Sequence, residues 1–273
     1  MQVKALQVFI KKNYPKVTHI NQLSKNIVVQ FLNDVLQRTS ARSRNNYRLE
    51  LSSLMQTLED NEIVVSNIVK KIPVLKAIPE RNKTYTKETQ EEIFKFLETK
   101  DPILLLYIKF ISYNFLRPIE VNRLKVGGLN LIDKTIQFRA KNSPLKTKII
   151  PKILIEELPD LSNMNKDNPL FAPKGLGEVW DTTDQNRRDY FSKRFKKVVK
   201  EHFNLSVDYG LYSFRHTYIT KLYKELVKDS SPFAAKSKLM QITGHSSMTA
   251  LEKYLRVIDA DLPADYSNLL RAK

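Results

Sequence analysis

The chain is 273 residues long, enough for one large domain or two ordinary ones, and its 42% hydrophobic content fits a globular protein with a buried core. It has no cysteine, which excludes a disulfide framework and a thiolate metal site. No run is long and apolar enough to span a bilayer, since the nearest, Pro102 to Leu116, is short and contains Lys109. Lys and Arg number 46 against 29 Asp and Glu, a net charge of +17 that splits as +6 over residues 1–80 and +11 over the remainder, so both parts suit a polyanionic partner.

Lys4, Lys11 and Lys12 interrupt any apolar run after Met1, so no signal peptide is expected and the chain reads as cytoplasmic and nucleoid-associated. Helical spacing recurs in Ile27, Val28, Phe31, Leu32, Val35 and Leu36, and again in Tyr47, Leu51, Leu54, Met55 and Leu58. Between these helices lies the basic, hydroxyl-rich turn Arg38 to Arg44. Its backbone amides, with Arg42 and Arg44, are expected to meet phosphates at the start of the second helix. Residues 73–86 carry two prolines and break the period, which marks a linker and a domain boundary near residue 80. Thr89 with Glu92 then forms a capping box for a helix bearing Ile93, Phe96 and Leu97.

Pro118 is expected to open a new short helix. Leu129 to Ile132, Thr135 to Arg139 and Lys146 to Ile150 alternate and are β-branched, which predicts a small antiparallel sheet with a turn at Asp133-Lys134. One helix is predicted over about Gln185 to Phe203, with Phe191, Phe195 and Val199 on one side. Its basic side, including Arg194 and Lys197, is suited to a nucleic-acid backbone. The remainder is mainly helical.

Three short motifs follow one another. Phe115-Leu-Arg-Pro-Ile-Glu120 sets Glu120 one helical turn after Arg117, where it can orient the guanidinium. Leu211-Tyr-Ser-Phe-Arg-His-Thr217 supplies Arg215, and Thr243-Gly-His-Ser-Ser247 sets His245 nine residues before Tyr254. Guanidinium stays charged at any working pH and presents a planar fork that matches two phosphate oxygens. Gly244 lets the backbone turn between two helices, and Ser246 or Ser247 can cap the second. Tyrosine suits nucleophilic attack on phosphorus, because a phenol is a better leaving group than an alkyl alcohol and its phosphoester remains reversible.

This order of Arg, Arg-His-Thr, Gly-His-Ser-Ser and Tyr resembles the tyrosine recombinases (the phage integrase family), and the resemblance covers most of the chain. It implies a mainly α fold with a small antiparallel sheet. Residues 1–80 would be the helical core-binding domain and residues 81–273 the catalytic domain with its C-terminal tail, the two closing around duplex DNA. Arg117 and Arg215 would clamp the phosphate, His245 would assist, Tyr254 would attack, and a lysine in the strand turn would protonate the leaving oxygen. Lys141 best matches that lysine; Lys146 is the fallback, and Lys146 and Lys148 otherwise count as DNA contacts.

The chain departs from the family's pattern at two places. Asn114 and Phe115 stand where a small glycine is usual, and Tyr212 stands where His-x-x-Arg has its histidine. A phenol, with a pKa of about 10, is a poor base at neutral pH. The resemblance further implies a homotetramer on paired sites, a monomer or dimer off DNA, possible accessory DNA-bending proteins, and no cofactor, metal or membrane. Two alternatives stand beside it: a non-catalytic DNA-binding relative, and a type IB topoisomerase-like enzyme that relaxes supercoils.

Overall fold

A computed structural model describes residues 2–77, 83–139 and 145–255. Its contacts divide the chain into two compact units, Met1–Glu80 and Arg81–Lys273. As the periodicity predicts, the architecture is mainly helical with one small antiparallel sheet.

The first unit holds α1 (Gln2–Asn13), α2 (Lys25–Arg38) and α3 (Ala41–Asp60). The Ser24 and Ser40 hydroxyls cap α2 and α3 by accepting from the Ile27 and Ser43 amides. Ile27, Val28, Phe31, Leu32 and Val35 form the buried stripe of α2. They pack with Leu6, Leu51 and Met55 and with Val64, Val69 and Ile72 from the segment after α3. That segment has carbonyls with no helical or ladder partner, and α3 supplies donors for them.

Here one sequence expectation is corrected. Arg44 does not face solvent as a phosphate contact but is 4% exposed, and its Nη1 donates to Pro73 O at 2.6 Å. Arg48 and Asn45 bind neighbouring backbone groups in the same way. Arg42, two residues earlier on the opposite side of the first turn of α3, is exposed.

The second unit begins with α4 (Lys87–Lys100), three residues earlier than the Thr89 box predicts. Thr86 is the cap, its hydroxyl accepting from the Thr89 amide at 3.2 Å. At its centre lies α5 (Pro102–Tyr113), buried from Leu104 to Ser112, as expected of a helix apolar on every side. After the short α6 (Pro118–Asn122) come β1 (Leu129–Asn130), β2 (Thr135–Arg139) and β3 (Leu145–Ile149), antiparallel in the order β1-β2-β3. The chain continues through α7 (Lys152–Ile155), α8 (Asp184–Phe195), α9 (Leu211–Leu226), α10 (Pro232–Thr243) and α11 (Met248–Leu255). Among the described residues no helix is long and apolar enough to cross a membrane.

Strand β3 inverts the usual polarity of a half-buried strand. Lys146 pairs with Phe138 and Lys148 with Ile136, so the two lysines share the face of two buried side chains. Leu145 and Ile149, on the other face, are 57% and 74% exposed.

The helix predicted over Gln185 to Phe203 changes character midway. After Phe195 the chain makes a π-helical turn, Lys196–Lys200, in which the Glu201 amide reaches Lys196 O five residues back. Phe191, Phe195 and Val199 are buried, and Lys197 is exposed.

Arg194 is a second correction to the expected nucleic-acid contacts. Its Nε and Nη2 grip both oxygens of Asp101 at 2.6 and 2.7 Å, and Nη1 donates to Pro173 O at 2.7 Å. The fork is fully used inside the fold, where Asp101 also caps α5 by accepting from the Leu104 amide at 3.0 Å. Replacing Arg194 with Ala leaves a buried carboxylate without its counter-charge. The variant should lose about 2–4 kcal/mol of stability, read as a lower urea midpoint for the second unit.

Candidate functional site

The site is organised by a chain reversal between α5 and α6. After Asn114 (φ −97°) the chain passes through Phe115 at φ +55°, the left-handed region that glycine enters freely and a bulky residue does not. The conformation costs about 1–2 kcal/mol, which burial of the ring among Ile219, Leu239, Leu251 and Leu255 offsets. The reversal aims two successive carbonyls at cations. Asn114 O accepts from Lys148 Nζ at 2.6 Å, and Phe115 O accepts from Arg215 Nε at 2.8 Å. Asn114 Nδ2 donates in turn to Ile149 O at 2.8 Å, tying the reversal to β3.

Two residues on, Arg117 is the N-cap of α6, whose first residue is Pro118. The buried Glu120 carboxylate holds it twice: Oε2 accepts from the Arg117 amide at 2.7 Å and Oε1 from Nη1 at 2.9 Å. Burial works against the Arg117 charge, but Glu120 and Tyr212 outweigh it and hold the guanidinium above its ordinary pKa. The two arginines differ in access. The Arg117 side chain is 41% exposed, whereas Arg215 is 1% exposed and fixed from several sides. Arg215 Nη1 donates to the Tyr212 hydroxyl at 3.3 Å, and Nη2 reaches Thr243 O at 3.5 Å, the outer limit for such a bond. The expected first-histidine position is thus occupied by a phenol whose oxygen is engaged by a guanidinium. The His216 ring packs edge-on to Tyr212, with centroids 5.1 Å apart.

His245 follows Gly244, which ends α10 in the left-handed conformation at φ +75°. The half-buried ring sets Nδ1 2.6 Å from Thr243 Oγ1. Burial first, then Arg215, Arg117 and Lys148, push its pKa down to about 4. Lys148 responds to the same surroundings. Burial and the two arginines outweigh Glu120 and bring its pKa down to about 7. Ser247 caps α11 by accepting from the Ala250 amide at 3.2 Å, and Leu251 and Leu255 bury the inner side of that helix. Tyr254 lies on α11, but its side chain is outside the description, and Lys141 lies outside the described residues altogether.

The structure therefore brings together Arg117, Glu120, Tyr212, Arg215 and His245. It adds Lys148, read from sequence as a surface contact, whose amine is instead drawn inward to Asn114 O. Lys146 stands beside it on β3. Sequence reasoning missed Asn114, Phe115 and Thr243 as parts of the site; the available signal was that Asn114 and Phe115 stand where the expected pattern has a small glycine. Two guanidiniums, an imidazole and an amine gathered at one place form a receptor for a tetrahedral oxyanion.

No family model matches the chain. The chain is 25% identical over 237 residues to the tyrosine recombinase XerH of Campylobacter jejuni, covering 80% of this chain and 65% of that protein, so it spans just under two thirds of that relative. Among solved structures, a lambda integrase dimer bound to a COC′ core site aligns with a TM-score of 0.70 and 13% identity over 97% of this chain and 89% of the other. The Tn1549 transposon integrase with a circular-intermediate DNA aligns at 0.66 and 13% identity over 98% and 90%. XerH on a palindromic difH substrate, after cleavage, aligns at 0.64 and 15% identity over 95% and 75%. At these identities the likeness is one of fold, and the fold is that of the tyrosine recombinases.

The lowered pKa of Lys148 makes anion binding depend on pH in one direction. A bound dianion favours the ammonium, so binding above pH 7 takes up a proton. Affinity for sulfate, which does not titrate in this range, should fall as pH rises through about 7 and level off below it. Calorimetry in buffers of different ionisation enthalpy reads the proton uptake, and Lys148→Met should abolish it.

Proposed function

We propose that this chain, which has the tyrosine recombinase fold, is a site-specific recombinase of that family. It cuts and rejoins double-stranded DNA through a 3′-phosphotyrosyl intermediate, in the service of integrating or excising a mobile element. The observation that carries the reading is the gathering of Arg117 and Arg215 beside Tyr212 and His245, in the fold shared with lambda integrase and XerH.

In the proposed reaction the Tyr254 oxygen attacks the scissile phosphorus while the bond to the 5′-oxygen breaks. Arg117 and Arg215 stabilise the charge that builds on the non-bridging oxygens, and their fixed geometry means that little reorganisation is needed as it develops. Glu120 sets Arg117; Phe115 O, Tyr212 and Thr243 O set Arg215. The Tyr212 phenol serves as a hydrogen-bond donor to the phosphate rather than as a base. A lysine protonates the departing 5′-oxygen. Lys141 is the residue the motif favours, and Lys148 is a second candidate because its amine stands against the arginines. The covalent intermediate conserves the energy of the phosphodiester, so resealing reverses the same steps. Residues 1–80 act as the core-binding domain and 81–273 as the catalytic domain. Exposed Arg42 and Lys197, with Lys146, contact the DNA backbone. Four protomers act on two sites.

A nicked suicide duplex carrying a candidate site should trap a covalent protein–DNA adduct, mapped by peptide sequencing to Tyr254. Tyr254→Phe should bind the same duplex and give no adduct; an adduct in that variant would remove Tyr254 from the reaction. Arg117→Ala and Arg215→Ala should each slow cleavage by about 10²–10³-fold, and a wild-type rate in either would take that arginine out of the site.

A further inference from the structure

Phe115 belongs to two structures at once. Its ring lies in a small core apart from the main one of the second unit, with Ile219 from α9, Leu239 from α10, and Leu251 and Leu255 from α11. Among the described residues it is the one member of that core from outside α9, α10 and α11. Its backbone lies in the cation site, where the carbonyls on either side of its Cα accept from Lys148 and Arg215. The ring faces that site too, with Lys148 Nζ 5.8 Å from its centroid.

The Phe115 dihedrals set how those two carbonyls point relative to each other. A return from φ +55° to an ordinary value of about −60° would turn one peptide unit against the other by roughly 115°. With the neighbouring backbone in place, the two cations cannot both keep their acceptors after such a turn. Nothing local favours the left-handed conformation for a phenylalanine. Burial of the ring does, in a core that Leu251 and Leu255 complete. Among the described side chains of α11, none belongs to the main core, whereas Met248, Leu251 and Leu255 belong to the small one.

We infer that Phe115 is a positioning residue that couples the docking of α11 to the assembly of the anion site. The docked helix holds the ring, the held ring keeps Phe115 left-handed, and that conformation aims the two carbonyls at Lys148 and Arg215. By linkage the coupling runs both ways, so an anion held by the site favours the docked helix by the same factor. Its meaning for catalysis rests on the proposed recombinase reaction: α11 carries residue 254, so capture of the phosphate and docking of that helix favour each other.

Calorimetric titration of the full chain with sulfate tests the coupling, with Arg117→Ala marking the part of the signal that belongs to the site. Leu251→Ala removes no group from the site, yet it should lower that affinity about tenfold. Phe115→Ala and Phe115→Gly remove the same ring and differ in the cost of a positive φ. The glycine variant should therefore bind sulfate about fivefold more tightly than the alanine variant. In the Phe115→Gly background the further change Leu251→Ala should have no effect, since the ring that carried the coupling is gone. Hydrogen exchange reads the reverse direction: sulfate should slow exchange of the α11 amides, residues 248–255, in the wild type and not in Phe115→Gly. A loss through the missing ring alone would be equal in the alanine and glycine variants, and that result would overturn the inference. So would a Leu251→Ala protein with wild-type affinity, or α11 exchange that ignores sulfate. A wild-type chain that passes these tests and forms no adduct on a suicide duplex would overturn the recombinase reading and leave the coupling standing.

Discussion

The reversal at Asn114–Phe115 is the constraint on which the site depends, because it decides where the cations meet. Two unit charges about 5 Å apart repel by about 3 kcal/mol at an effective dielectric near 20, so arginines and a lysine do not gather unless the backbone supplies counter-dipoles. The reversal supplies two, and Glu120, one turn further on, supplies a full negative charge. What remains uncompensated is relieved by proton loss, since the lysine and the histidine both have lowered pKa values while Arg117 keeps its charge. The unliganded site is therefore less positive than its composition implies, which reduces the repulsion that folding must overcome.

Arg215 connects both places at which this chain departs from the recombinase pattern with the last residue of α10. Its guanidinium touches Phe115 O through Nε, the Tyr212 hydroxyl through Nη1 and Thr243 O through Nη2. The departures thus lie on one side chain and form a single contact set. Residues that share partners do not contribute additively. Tyr212 is the departure whose side chain makes the contact, since the carbonyls of Phe115 and Thr243 would be present whatever side chains those positions carried.

Much of this was legible in the sequence, for a physical reason. Arg117 and Glu120 act on each other within one helical turn, and His245 is set by the turn at Gly244, so short-range spacing encodes their geometry. The burial of α2 and α5 follows from apolar periodicity alone. Three of the misreadings concern side chains whose partners are distant in sequence. Arg44 and Arg42 look alike until the carbonyl of Pro73 is in place, and Arg194 looks like Lys197 until Asp101, 93 residues away, takes it. Thr86 and Thr89 are both competent caps, and the helix starts at the earlier of the two. Lys148 misled most, because alternation along a strand reveals which residues share a face but not which face turns inward.

That inversion of β3 has a consequence beyond the site. Edge strands commonly carry lysine on their outer face, where its charge discourages another chain from adding to the sheet. Here β3 is the edge of its sheet, and its lysines point the other way; Leu145 and Ile149 are left outside, flanking Thr147. The outward row is uncharged and rich in β-branched side chains, which is the composition that favours intermolecular strand pairing. The inward lysines nonetheless guard this edge, since charge on the inner face of an edge strand also disfavours the addition of another chain.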